Sequence, residues 1–331
     1  MVATRRIGGE SQAIILGDIM ITHKPPKAYP IPNHEGLFSC YDWHPDMADN
    51  ILPRMSKSSV MSDFGFCQQQ YGIKRIIGMK EPQNDAMIRG TNVHDSLEYF
   101  YDNVDIEKAS DMDQEQLRIY FKSCFGKPEN AREPQEMWHL DEDLHIDRLC
   151  EAEVQRFMVC DPQYFLPTGN ELEVDLVHEI EVDGIPQKIH FNGFIDRVFT
   201  NPDGSLHIHE LKTGKWLKNG KVSKIKEETM RKEMAFYVWL LNKTDPSLRI
   251  THWGWDHTGG DEIFRHVEPC RVEEIQKMIA QMQDCVRKHR KYKGDGDLSP
   301  FNLLNPGAQF RICDPWCAVK EFCPRYAEAE I

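Results

Sequence analysis

Phe191-Asn-Gly-Phe-Ile-Asp196-Arg-Val-Phe-Thr200-Asn-Pro-Asp-Gly204-Ser-Leu-His-Ile-His-Glu210-Leu-Lys212-Thr-Gly-Lys-Trp216 is the stretch that decides the fold. Two runs of strand-favouring residues flank Asn201-Pro202-Asp203-Gly204. Proline suits the second position of a type I turn, and glycine supplies the left-handed residue after it. With Pro202, Asp203 and Gly204 as a three-residue loop, Asn201 faces Ser205. Counting back along the ladder then places Asp196 opposite Glu210. Side chains alternate along a strand, so Glu210 and Lys212 share one face and Asp196 joins them.

Two carboxylates and an ammonium on one patch suit metal-assisted phosphodiester hydrolysis. Magnesium and manganese are hard cations that prefer oxygen ligands, here Asp196, Glu210 and the Leu211 carbonyl. A bound metal lowers the pKa of its water and neutralises charge building on the phosphorane. Lys212 is placed to orient or deprotonate that water, or to stabilise transition-state charge. Taken alone, Glu-x-Lys on a hairpin reads first as a cross-strand Asp/Lys/Glu network on the surface, the usual fate of charged residues there. The rest of the chain tips the balance towards chemistry.

The 331 residues suffice for one large or two modest domains, and 40 basic against 53 acidic residues give a net charge of −13. That balance argues against a general nucleic-acid coat protein, while leaving room for a local basic groove. Between Lys212 and Lys232 stand eight Lys or Arg against two Glu, and Val286-Arg-Lys-His-Arg-Lys-Tyr-Lys293 is a second basic run. No signal peptide or spanning apolar stretch is visible, so a soluble, cytoplasmic protein with no membrane role is expected. Ten cysteines without a secretory signal favour thiols or a metal site over disulfides. A phosphate loop of the Gly-x-x-x-x-Gly-Lys-Ser/Thr type is absent, so no ATP-driven step is expected.

Residues 1–50 read as an irregular extension. Ser56 to Tyr71 reads as a serine-capped helix with Val60, Phe64, Cys67 and Tyr71 on one stripe. Gly90 opens another helix in which Val93, Leu97 and Phe100 face the core, leaving His94 and Glu98 one turn apart. Residues 104–162 are polar, acidic and helically spaced, and read as a helical insertion. Glu171 to Val182, closed by an Asp183-Gly184 turn, reads as the first strand of an antiparallel sheet. An apolar helix through Glu233 and Tyr237, a strand from Arg249 to Asp256 and a long helix from Val272 to Tyr292, with apolar positions at Ile275, Met278, Ile279 and Met282, follow. The order of strands, helix, strand, helix predicts an α/β or α+β core.

The tail, Cys313-Asp-Pro-Trp-Cys317-Ala-Val-Lys-Glu-Phe-Cys323-Pro324, is the second informative place. Thiolates at short spacing with a proline after the last suit an iron–sulfur cluster, and zinc fits the local count equally well. A fourth ligand must come from elsewhere.

In this order the pieces resemble the RecB-type branch of the PD-(D/E)XK nucleases, closest to the iron–sulfur CRISPR-associated Cas-four exonucleases and the AddB nuclease domain. The resemblance rests on the serine-rich helix with Cys67, on Gly90-x-x-x-His94, on Gly193-x-Ile195-Asp196-Arg197 and on Glu210-x-Lys212-Thr-Gly214. The Tyr237 helix and the clustered tail cysteines complete it, over roughly Ser56 to Pro324. It implies a restriction-endonuclease-like core, a mixed central sheet flanked by helices, in one domain over 51–331 with its catalytic core at 166–260. It implies Mg2+ or Mn2+ held by His94, Asp196, Glu210 and the Leu211 carbonyl, with Lys212 as catalytic lysine and Tyr237 beside it. Cys67, Cys313, Cys317 and Cys323 would hold a [4Fe–4S] cluster tying the two ends of the domain together, with Cys40, close to His44, as the rival fourth ligand. DNA, as single strands or ends, is the expected substrate, with Lys215, Lys218, Lys221, Lys224 and Glu233 along its path. Glu233 departs from the glutamine more usual there, and the first two tail cysteines stand one residue further apart than usual. A nuclease fold serving as a DNA-binding adaptor, or a metal-stapled structural protein, are the competing readings.

Overall fold

The structure, a computed structural model, describes residues 2–7, 10–15, 51–78, 85–126, 140–218, 221–292 and 298–301, with Cys313, Cys317, Val319 and Cys323. Its centre is an eight-stranded mixed sheet in the order β10-β9-β6-β5-β4-β1-β2, with β3 also paired to β5. Strand β4 (Gly169–Val182) and strand β5 (Ile185–Thr200) form a long antiparallel hairpin. Its turn is Asp183-Gly184, both with positive φ (55° and 75°), as a tight hairpin requires. The three-residue loop behaves as its sequence predicts. The Asn201 N–H donates to Ser205 O at 2.8 Å, Gly204 has φ 74°, and Arg197 pairs with His209 of β6 (Leu206–Lys212).

Strand β5 has two different neighbours on its other edge. Its first half pairs in parallel with β3 (Ile51–Ser56) as far as Asn192, and its last residues pair antiparallel with β6 from Arg197. Neither ladder includes Gly193 to Asp196, so the sheet forks there. The site is built in that fork.

Strand β6 pairs in parallel with β9 (Ile250–His257), which pairs antiparallel with β10 (Phe264–Pro269). The connection from β6 to β9 runs through a short hairpin, β7 (Leu217–Lys218) with β8 (Lys221–Val222), and then helix α6 (Lys224–Thr244). Helix α7 (Val272–Lys291) buries Met278, Met282, Cys285 and Val286, continuing the stripe predicted from its spacing. With α6 and the opening helical segment Lys57–Phe64 it makes one large core that includes Ile208, Trp253 and Trp255. The second basic run lies on α7, where Arg287 binds Asp183 at 2.9 Å and Arg290 donates to the Val182 and Ile185 carbonyls. It fastens the β4–β5 turn.

The opening segment starts on a serine cap. The Ser59 N–H donates to Ser56 Oγ at 3.2 Å, and Val60, Phe64 and Tyr71 are buried as the stripe predicts. Two short helices, α1 (Gln68–Tyr71) and Gly72–Ile76, follow. Helix α2 (Asp85–Asn103) then turns Val93, Leu97 and Phe100 into a second core. Helices α3 (Ile106–Ser110), α4 (Gln114–Cys124) and α5 (Leu140–Val159) complete that core, together with Phe199 and Leu211 of the sheet. The 104–162 insertion is therefore the second layer of the fold, covering apolar sheet residues that α6 and α7 leave bare.

Residues 1–50, read as irregular, contain a hairpin, β1 (Val2–Ile7) with β2 (Glu10–Ile15), which extends the sheet beyond β4 through Thr4 and Glu173. Cys40 and His44 lie outside the described residues. None of the described helices is long and apolar enough to cross a membrane.

Candidate active site

Asp196 sits at the mouth of the fork, where β5 has left β3 and the ladder to β6 has ended. Its carboxylate replaces the missing backbone partner, accepting the Leu211 N–H at 2.6 Å. Tyr237 of α6 closes the same gap by donating its hydroxyl to the Phe194 carbonyl. Gly193 makes that approach possible, because a Cβ there would lie 3.0 Å from Tyr237 Cε1.

Three ligand atoms converge on Asp196. His94 of α2, Glu171 of β4 and Asp196 each offer one, all within 4.8 Å of one another. His94 Nδ1 is 3.3 Å from Glu171 Oε1 and 3.6 Å from Asp196 Oδ2, while its Nε2 is 3.1 Å from the Leu211 carbonyl. His94, Asp196 and the Leu211 carbonyl are thus brought together as expected. Glu171 was not anticipated. Its signal lies in the backbone, where φ is 47°, a left-handed value that a non-glycine residue adopts only under constraint.

Glu210 takes a different place. It is 2% exposed, and its Oε1 accepts from Lys212 Nζ at 2.6 Å and from Lys57 of the opening segment. Its buried Oε2 has no hydrogen-bond partner. Lys212 also lies 3.2 Å from Glu233 Oε2, while Ser62 Oγ donates to Glu233 Oε1 at 2.8 Å. Glu233, read as lying along the DNA path, is buried and engaged with these neighbours. Lys57 is the second site residue that sequence reasoning missed, for nothing in Ser56-Lys-Ser-Ser marks it.

The electrostatics describe a pocket short of positive charge. Burial, then the neighbouring Glu210 charge, pushes the Asp196 carboxyl up to about 6 against the pull of His94. Burial opposes the charge on His94, but Asp196 and Glu171 outweigh it and hold the imidazole up to about 9. Burial likewise opposes the Glu210 charge, yet Lys212 and Lys57 draw it down to about 2. An orphaned buried carboxylate oxygen, two crowded carboxylates, an imidazole and a backbone carbonyl form the donor set that a hard divalent cation takes.

The basic segment after Lys212 flanks this pocket. Lys215 and Lys224 are exposed, and Lys218 and Lys221 pair with each other in the β7–β8 hairpin. Lys226 donates to the Lys215 carbonyl and stands over the Trp216 ring at 5.4 Å. Trp216 itself is buried against Trp255, His257 and Phe264. The segment is anchored at its root by Trp216.

The cysteines behave as two groups. Burial pushes Cys150 and Cys285 up to about 12, as expected of thiols that serve as small apolar side chains. Cys317 is raised by burial and then by the charges of Cys313, Cys67 and Cys323, so the other three predicted ligands lie within electrostatic reach of Cys317. The Cys317 N–H donates to Cys313 O at 3.0 Å, a turn that brings those two thiols to one side.

The profile of a nuclease family, described as the PD-(D/E)XK nuclease superfamily, matches residues 55–324. The chain belongs to the PD-(D/E)XK nuclease superfamily. It is accordingly a phosphodiester hydrolase by family. Among solved structures it is similar to a candidate exonuclease from Eubacterium rectale, at 14% identity and TM-score 0.40, over 72% of this chain and 80% of that one. It is also similar to a protein named SSO0001, at 14% identity and TM-score 0.33, over 72% and 84% of the two chains. No curated protein matches.

Proposed function

We propose that this PD-(D/E)XK nuclease is a Mg2+- or Mn2+-dependent deoxyribonuclease of RecB type, working as an exonuclease on single-stranded DNA or DNA ends. The observation that carries the reading is the convergence of His94, Glu171, Asp196 and the Leu211 carbonyl beside the unpartnered Glu210 Oε2. A divalent cation there supplies an activated water and charge neutralisation at the scissile phosphate. His94, Glu171, Asp196 and Glu210 would hold it. Lys212, kept charged between Glu210 and Glu233 despite its burial, stabilises the negative charge that develops on the phosphate oxygens. Tyr237 keeps the fork open by holding the Phe194 carbonyl. Lys215, Lys218, Lys221 and Lys224 extend from Lys212 and are the proposed track for the DNA backbone.

Cys67, Cys313, Cys317 and Cys323 are proposed to hold a [4Fe–4S] cluster, with zinc as the alternative. Burial and then the neighbouring Cys313, Cys67 and Cys323 raise the Cys317 thiol, so thiols are pooled around Cys317 as an iron–sulfur cluster requires, which supports the assignment. A cluster there would join the opening segment to the tail, closing a long loop and so restricting the unfolded chain. The order of the cysteines and the nuclease motifs supports a reading nearest the Cas-four and AddB groups. An adaptor role is less well supported, because a pure binding module has no need of a complete Asp, Glu and Lys set.

Asp196→Asn and Glu210→Gln decide the matter. Each should lower Mn2+-dependent release of nucleotides from single-stranded DNA by about a thousandfold or more, the scale of losing a metal-held reaction centre. Folded variants that cleave at the wild-type rate refute the reading. End-blocked and circular substrates separate exonuclease from endonuclease action.

A further inference from the structure

No motif that led to the site gives Lys57 a part in it, yet its ammonium is among the groups closest to it. The serine cap at Ser56 fixes it in the first turn of the opening segment. Its Nζ donates to Glu210 Oε1, lies 3.9 Å from Glu233 Oε2 and stands 4.9 Å from the centroid of the Tyr237 ring. The side chain is only 13% exposed. Three side chains from two elements, β6 and α6, therefore grip one cation, unlike an exposed ion pair, which contributes little. Burying an ammonium also carries a desolvation penalty that a merely decorative lysine would avoid.

Glu210 explains the arrangement. His94, Glu171 and Asp196 already bring their ligand atoms together, whereas Glu210 spends Oε1 on two lysines and leaves Oε2 bare. A divalent cation that recruits Glu210 must compete with those lysines for the carboxylate. Lys212 has a role in the chemistry once the cation is there, but Lys57 has none that the motifs assign.

We propose that Lys57 is the built-in counter-ion of the metal site, neutralising Glu210 when no divalent cation is bound and thereby weakening and making reversible the binding of that cation. Once the cation takes Glu210, the Lys57 ammonium stays beside Glu233 and the Tyr237 ring. The proposal rests on the metal-dependent nuclease reading above.

The test is calorimetric titration of Mn2+ into the metal-stripped full chain, comparing wild type, Lys57→Met, Lys57→Gln, Lys57→Arg and Asp196→Asn. Removing a unit positive charge a few ångströms from a divalent ion should tighten Mn2+ binding by about tenfold or more. Lys57→Met and Lys57→Gln are both expected to show this, and Lys57→Arg to stay near wild type. In chelator the two neutral variants should melt below wild type, because Glu210 and Glu233 are left with one lysine, and Mn2+ should raise their melting temperature more than it raises that of wild type. A merely structural lysine would weaken the metal site when removed, so unchanged or weaker Mn2+ binding in folded Lys57→Met or Lys57→Gln overturns the proposal. Failure of both variants to fold even in Mn2+ also overturns it, since a counter-ion is dispensable once the cation is present. If wild type itself binds no Mn2+, or Asp196→Asn binds it equally well, the metal-site reading has failed instead.

Discussion

Asp256→Asn tests the account of how the site is supported. Asp256 lies on β9, in register with Leu211 of β6, and is fully buried. Its carboxylate binds Arg197 at 3.2 Å and Arg265 at 2.8 and 2.9 Å, with His209 Nε2 at 2.9 Å. Arg265 also has Glu153 at 3.0 Å. Arg197, 2% exposed, has no second carboxylate among its described ion pairs. Asparagine preserves the shape and removes the charge, so the Arg197 guanidinium faces a neutral amide in a dry environment. Breaking a buried pair in this way costs about 3–5 kcal/mol. At about 2 °C per kcal/mol for a domain of this size, the melting temperature should fall by about 6–10 °C. Urea unfolding followed by tryptophan fluorescence is the assay, with buried Trp253 and Trp255 reporting from the same strand. The pH dependence follows from the direction of the shift. His209, Arg265 and Arg197 hold the Asp256 carboxyl well below its ordinary 3.8 despite its burial. Its contribution is therefore complete above that value and disappears as the pH falls through the lower folded-state pKa. The gap between wild type and variant should stay constant from neutral pH to about pH 5 and narrow below about 4. A loss under about 1 kcal/mol at neutral pH, or a gap that closes already by pH 6, would refute the reasoning.

Other expectations follow from neighbouring features. Cys67→Ala should lose iron and acid-labile sulfide as fully as Cys317→Ala, while Cys124→Ala and Cys285→Ala keep both; equal iron in Cys67→Ala and wild type would remove Cys67 from the ligand set. Replacing Lys218, Lys221 and Lys224 by Gln should lower the slope of log affinity for single-stranded DNA against log salt by about 2, at about 0.7 per lost phosphate contact. An unchanged slope would make the segment a solvated face. Gly254→Ala should destabilise the fold by about 1–3 kcal/mol, since its Cβ would meet His266 O at 2.6 Å and His209 Nδ1 at 2.7 Å. A melting temperature equal to wild type would contradict that packing.

The central hairpin was legible because its information is local. Pro202 and Gly204 fix a loop length, loop length fixes register, and register sets Arg197 against His209 and carries Asp196 towards Glu210. Helix stripes such as Met278 with Met282 were legible for the same reason, since period and burial are both properties of one segment. Glu171 and Lys57 were not legible. Glu171 is one acidic residue among several on an alternating strand, and only its left-handed backbone opposite Asp196 distinguishes it. Lys57 reaches Glu210 across 153 positions of sequence, through a cap whose motif concerns Ser56 and Ser59 alone. The fork that leaves Gly193 to Asp196 outside both the β3 and the β6 ladders arises because β3 and β6 share one edge of β5, and pairing over that distance leaves no trace in either strand by itself. The sequence alone therefore determined which residue types carry the chemistry and how the hairpin aligns them. The tertiary structure decided which charges neutralise one another, because an ion pair depends on distance and burial, and neither is a property of a single stretch of chain.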